Sequence, residues 1–124
     1  MFMQIIAAIL VSLVGLEHLV IMGLEMFASP KKQAALFELS TNYTQQPEAR
    51  VAMANQGVYN GMLGLLILIS YWFLPAAYHL VITSLLLLFV IVVALYGGAS
   101  TSKKIWLMQM LPAILALIAV MFVF

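Results

Sequence analysis

The chain contains no cysteine and very little charge, and each shortage removes whole classes of function. Without cysteine there is no disulfide, thiolate nucleophile, CxxC redox couple or Cys-ligated zinc or iron–sulfur site. A thiol-based quinone reductase, a common role for small four-helix membrane proteins, is excluded with them. Only 7% of the 124 residues are charged, whereas a soluble domain carries about 25%. The net charge of +1 leaves no basic patch able to neutralise phosphates, so nucleic acid is not expected as a partner. No repeat of fixed period and no low-complexity segment interrupts the chain, which reads as one domain over residues 1–124.

What is present is apolar: 66% of the residues are hydrophobic and the mean hydropathy is +1.17. A hydrocarbon core of about 30 Å takes roughly 20 apolar residues per helix, so there is room for four spans and little else. The pattern predicts an all-α membrane protein, a four-transmembrane-helix bundle with spans at about 3–28, 51–73, 78–96 and 104–123. The first is expected to remain as a span, since it has no basic n-region or A-x-A site and is too long for a cleavable signal.

Between the first two spans, Ser29-Pro30 is a helix stop, and residues 32–39 carry Ala35, Leu36 and Leu39 in a short amphipathic pattern suited to the interface. Asn42 to Pro47 has loop composition, and Glu48 opens the next helix. An aromatic belt, Tyr71-Trp72-Phe73 with Tyr78, surrounds the second connection. His79 reads there as an ordinary interfacial residue. The third span is expected to close at Gly97-Gly98, and Trp106 to anchor the start of the fourth.

The few charges are informative by position. Lys31, Lys32 and Arg50 lie between spans one and two, and Lys103 and Lys104 between three and four, so all five basic residues share one face. The positive-inside rule makes that face cytoplasmic, in a multi-pass protein of the cytoplasmic membrane with both termini outside. Glu17 and Glu25 fall inside the first span, Glu17 next to His18, where ionisable groups are costly and usually functional. At 1.5 Å per residue, Glu25 lies roughly 6 Å and Glu17 and His18 roughly 16–18 Å from the cytoplasmic end. Asn55 and Gln56 lie roughly 8 Å in, Asn60 roughly 15 Å, Tyr96 about 6 Å and Gln109 about 10 Å. Polarity is thus concentrated in the cytoplasmic half.

Helical phase adds that Asn55 with Tyr59, and Gln56 with Asn60, form two adjacent ridges among Gly57, Gly61 and Gly64. Such glycines let a neighbouring backbone approach closely, so spans one and two are expected to pack there with amides facing glutamates. Glu17 or His18 should then reach a polar group of spans two to four, and Glu25 should find Tyr59, Gln56 or a loop cation. The bland alternative is that these amides only tie helices together, that Glu25 is a structural tie, and that Glu17 and His18 form a structural contact.

The runs Leu16-Glu17-His18, Leu24-Glu25-Met26-Phe27 and Asn55-Gln56-Gly57-Val58-Tyr59-Asn60-Gly61, with Tyr96-Gly97 and Gln109-x-x-Pro112, carry a resemblance. The chain resembles the domain-of-unknown-function 1304 family of small, mostly bacterial integral membrane proteins, over essentially its whole length. The resemblance implies a four-helix inner-membrane protein and brings no activity, substrate or cofactor with it.

The residues themselves suggest a polar intramembrane pocket open to the cytoplasm, built from Glu17, His18, Glu25, Asn55, Gln56, Tyr59, Asn60, Tyr96 and Gln109. No metal or cofactor is called for, and the methionines read as packing filler. The leading expectation is binding or transport of a small polar or amphipathic molecule from the bilayer or cytoplasm, with Glu17 and His18 able to couple to protons. A homodimer through the glycine face or the fourth span would supply what four helices lack for two gates. Two rival classes are an intramembrane enzyme acting on a lipid-like substrate by acid–base chemistry, and a non-catalytic accessory subunit.

Overall fold

In the computed structural model, which describes residues 1–123, four helices are long and apolar enough to cross a membrane. They are α1 (Phe2–Phe27), α4 (Pro47–Trp72), α5 (Ala76–Ser100) and the unit formed by a π-helical turn (Trp106–Met110) running into α6 (Leu111–Val123). Two short helices, α2 (Pro30–Phe37) and α3 (Thr41–Thr44), fill the connection between α1 and α4. Among the described residues there is no β-strand.

Each boundary has a local cause. Ser29 caps α2 by accepting from the Lys32 amide, with Pro30 at its first position. Ser40 caps α3 through the Tyr43 amide, which gives a helical turn within a stretch expected to be loop. Pro47 starts α4, one residue before the helix start expected at Glu48, so the helix begins ahead of the apolar span itself. Pro75 is the N-cap of α5. The third span does not stop at Gly97-Gly98: the helix continues to Ser100. Gly98 is needed there for its lack of a side chain, because a Cβ would collide with the Trp106 indole. Trp106 is accordingly a wedge between α5 and the fourth span, donating Nε1–H to the Leu95 carbonyl at 3.1 Å. The π turn precedes Pro112, whose missing N–H and ring disrupt the i−4 ladder there.

Around the bundle, α1 packs on α4 and on α6, and α5 packs on α6 and on α4, so sequential spans are neighbours in a closed ring. The most extensive of these contacts is α1 against α4. A methyl on Gly64 would stand 2.5 Å from the Gly15 carbonyl oxygen and 2.9 Å from the His18 Cβ. Gly57 and Gly61 similarly face Met22, Glu25 and Met26 of α1. The glycine face is therefore consumed inside the bundle and is not free for a dimer.

The buried apolar core, with Ala7, Val11, Val14, Ile67, Leu87, Val90, Ala113, Ala116, Ala119 and Val120, occupies the half remote from the basic connections. In that half Thr83 Oγ1 donates to Ser70 Oγ at 3.1 Å, joining α5 to α4. His79 is buried and meets Tyr71 edge-on, ring centres 4.7 Å apart. Its side chain packs inward, in the first turn of α5 beside the Pro75 connection.

Candidate functional site

Of the nine polar residues singled out in the sequence, two are brought together. Glu25, two residues before the end of α1, accepts a hydrogen bond at 2.8 Å from Asn60 Nδ2 on α4. Both are half-buried. Gly57, one turn from Asn60, makes the approach possible, since a Cβ there would stand 3.2 Å from the Glu25 Cβ. The partner of Glu25 is thus Asn60, not Tyr59, Gln56 or a cation. Among the described residues the salt bridge is instead Lys104 to Glu38, at 3.1 Å.

The Glu25 backbone is held as firmly as its side chain. Gln33 of α2 is buried, and its Nε2 donates to the carbonyls of Leu24 and Glu25 at 3.0 and 2.9 Å. These are among the last carbonyls of α1: Leu24 also accepts from the Ala28 amide at 3.2 Å, whereas the Glu25 carbonyl lies in the last turn, where partners within the helix run out. One amide therefore caps α1 and orients the turn that carries the carboxylate. Thr44, also buried, donates to the Pro30 carbonyl at 2.8 Å and pins α3 to α2. Sequence reading missed both: Gln33 lies in the amphipathic stretch, where only the apolar positions stood out, and Thr44 in a stretch whose composition signals loop.

His18 is buried, and its Nδ1 stands 2.8 Å from the Val14 carbonyl oxygen. A carbonyl can only accept, so Nδ1 carries the proton and Nε2 is the acceptor in the neutral ring. Glu17 is half-buried on a different flank of α1, about 100° round from His18, so the adjacent pair does not share a face. The expected reach from Glu17 or His18 to a polar group of the other spans is not made: no such hydrogen bond exists among the described residues.

The remaining residues depart from the expected pocket. Asn55, Gln56, Tyr59 and Tyr96 are exposed on the outside of the bundle, the two tyrosines at 77% and 75%. Asn55 lines a shallow open groove with Pro47, Glu48, Val51 and Ala52. Gln109 is half-buried in the π turn. Periodicity grouped these side chains as inward-facing, but four of them lie on the outer side of their helices. The glycine face took the α1 contact, and the amide ridges were turned away from it. Among the described residues no three metal-ligating side chains converge.

Outside the spans, Glu38 ends α2 in the left-handed region, at φ 55° and ψ 43°, a conformation usually given to glycine. Its carboxylate bonds to Ser102 and Lys104, which hold it below its ordinary acidity range. The two basic connections are thereby joined to each other.

The fold and these contacts define a multi-pass helical membrane bundle with polar ties between its helices at both ends. The chain belongs to the family described as "Protein of unknown function (DUF1304)", whose profile matches residues 12–121. It is 41% identical over 121 residues, 97% of this chain and 100% of the relative, to the uncharacterized protein YpaA of Lactococcus lactis subsp. lactis (strain IL1403). No solved structure matches it.

Proposed function

We propose that the chain is a membrane-embedded binding protein that holds the polar head of a small amphipathic molecule at Glu25 and Asn60, on the cytoplasmic side. The observation that carries this reading is a half-buried carboxylate inside a span with an amide for a neighbour and no cation on it. Asn60 occupies one oxygen and leaves the other free to accept, so the site favours a ligand offering an ammonium or hydroxyl donor. The ligand's apolar part would lie along the bundle's lipid-facing surface. Binding is better supported than transport, because the core in the opposite half is packed closed. Acid–base catalysis has less support, since Glu17 and His18 do not converge with Glu25 on one point.

Mass spectrometry of lipids and metabolites on gently purified protein tests the reading. A co-purifying molecule with a donor head group is expected on the wild type and absent from Glu25→Gln, with both proteins folded. The same molecule retained by both would overturn it.

A second reading, assembly in the plane of the membrane, is favoured by the outward polar residues of α4.

A further inference from the structure

The outward face of α4 is unlike that of the other spans. On α1 the exposed positions Ile5, Ile9, Leu13, Leu16 and Val20 are apolar, as are those of α5 through Leu85, Leu88, Phe89 and Val92 and those of α6. On α4 one exposed face, Ala52, Asn55, Tyr59, Met62, Leu66 and Ile69, continued by Phe73 just after the helix, carries an amide and a phenol in its first turns, with exposed Gln56 on its flank. From the start of the 26-residue helix, Asn55 lies about 12 Å and Tyr59 about 18 Å along it. A helix of that length, about 39 Å, overhangs a hydrocarbon core of about 30 Å by only a few ångströms at each end. Both groups are therefore at hydrocarbon depth, and neither side chain has a hydrogen-bond partner among the described residues. Polar groups left bare in lipid are costly, so something in the membrane must cover them.

The chemistry of the two groups says what. Positions 52, 55, 59, 62, 66, 69 and 73 share one face of α4 in alternating steps of three and four, a spacing that fits the seam of a parallel helix pair, with Asn55 at a d position and Tyr59 at the a position that follows. We infer that this face is the interface of a symmetric dimer of the chain. A second copy has the same topology, so the two α4 helices run parallel about an axis along the membrane normal. Each residue then meets its own counterpart. An asparagine carboxamide and a tyrosine hydroxyl each donate and accept, so each can satisfy its copy. The open groove of Pro47, Glu48, Val51, Ala52 and Asn55 continues the seam, and small Ala52 admits the partner helix. The inference does not depend on ligand binding at Glu25.

A chain without cysteine suits the test. Single substitutions Ala52→Cys, Met62→Cys and Leu66→Cys leave Asn55 and Tyr59 in place. Under a membrane-permeant oxidant in native membranes they should give a disulfide-linked dimer. Val58→Cys on the flank of α4 and Leu115→Cys on the exposed face of α6 should not. Asn55→Leu should shift the monomer–dimer equilibrium in mild detergent toward monomer by roughly 3- to 30-fold, the range of one interhelical polar contact. Cross-linking at Leu115→Cys equal to that at the seam, or monomer at all three seam positions, would overturn the inference. So would seam cross-links to a different membrane protein.

Discussion

Asn60 and Glu25 restrain each other, and the consequence of separating them is calculable. Asn60→Leu leaves a half-buried carboxylate without its donor, at a cost of about 1–3 kcal/mol, and thermal unfolding in detergent should register the loss. Glu25→Leu leaves a neutral amide unpaired in place of a carboxylate and should cost less than Asn60→Leu. If the two variants melt alike, the contact is not an energetic one. The glycines of α4 make a sharper case. Gly64→Ala places a methyl 2.5 Å from a backbone oxygen of α1, where no rotamer change can relieve it, so α1 must move away from α4. Overpacking of that kind costs about 1–3 kcal/mol. Gly23→Ala meets nothing within 4 Å and should be neutral or slightly stabilising, since alanine favours a helix by about 1 kcal/mol over glycine. Melting temperatures of the pair check this, and equal effects would show that α1–α4 packing is looser than described.

Among the elements, the connection from α2 to α3 does more than join two spans. Gln33 caps α1, Thr44 fastens α3 to α2, and Glu38 reaches the connection before the fourth span. Gln33→Leu should leave the Glu25 carbonyl without its donor and the Leu24 carbonyl with only the Ala28 amide, and speed hydrogen exchange in the last turn of α1 and throughout α2. Unchanged exchange would mean that the cap is redundant. Glu38 supplies a pH dependence whose sign follows from its hydrogen bonds. Its folded value lies below the ordinary 4.5 because Ser102, and then Lys104, hold the ionised form. Its contribution is therefore complete above 4.5 and is lost as pH falls through the depressed folded value. Between neutrality and pH 5 the exchange of residues 28–47 should be constant, and it should rise progressively as pH falls below 4.5. Glu38→Gln should show the fast exchange at every pH. The amphipathic stretch was legible as such, because Ala35 and Leu36 do lie on the exposed side of α2. The caps were not legible, since a hydrogen bond from Gln33 to a residue eight positions earlier leaves no trace in local periodicity.

For the molecule as a whole, hydropathy and proline positions were enough to place four spans, because lipid leaves a backbone so few options. The direction in which each polar face turns needed the packing. Gly57, Gly61 and Gly64 share α4 with Asn55, Gln56 and Tyr59, and only one of these faces could meet α1. Close backbone approach won, and the amides went outward, apart from Asn60 on the shared flank. Orientation in the membrane depends on charge alone. The basic residues Lys31, Lys32, Arg50, Lys103 and Lys104 all belong to one end of the ring of helices, and the Lys104–Glu38 bridge requires the two basic connections to be on the same side. The short turn at Pro75 is at the other end. Translocating that cluster of cations is disfavoured, so the basic end is expected in the cytoplasm and both termini outside. Single cysteines at Ala76→Cys and Lys103→Cys, in a chain with no others, read this directly. A membrane-impermeant maleimide added to intact cells should label position 76 and spare position 103 until the membrane is opened. Labelling of position 103 alone would invert the topology while preserving the bundle. Labelling of both from the same side would break the four-span reading itself, because an odd number of crossings must separate them.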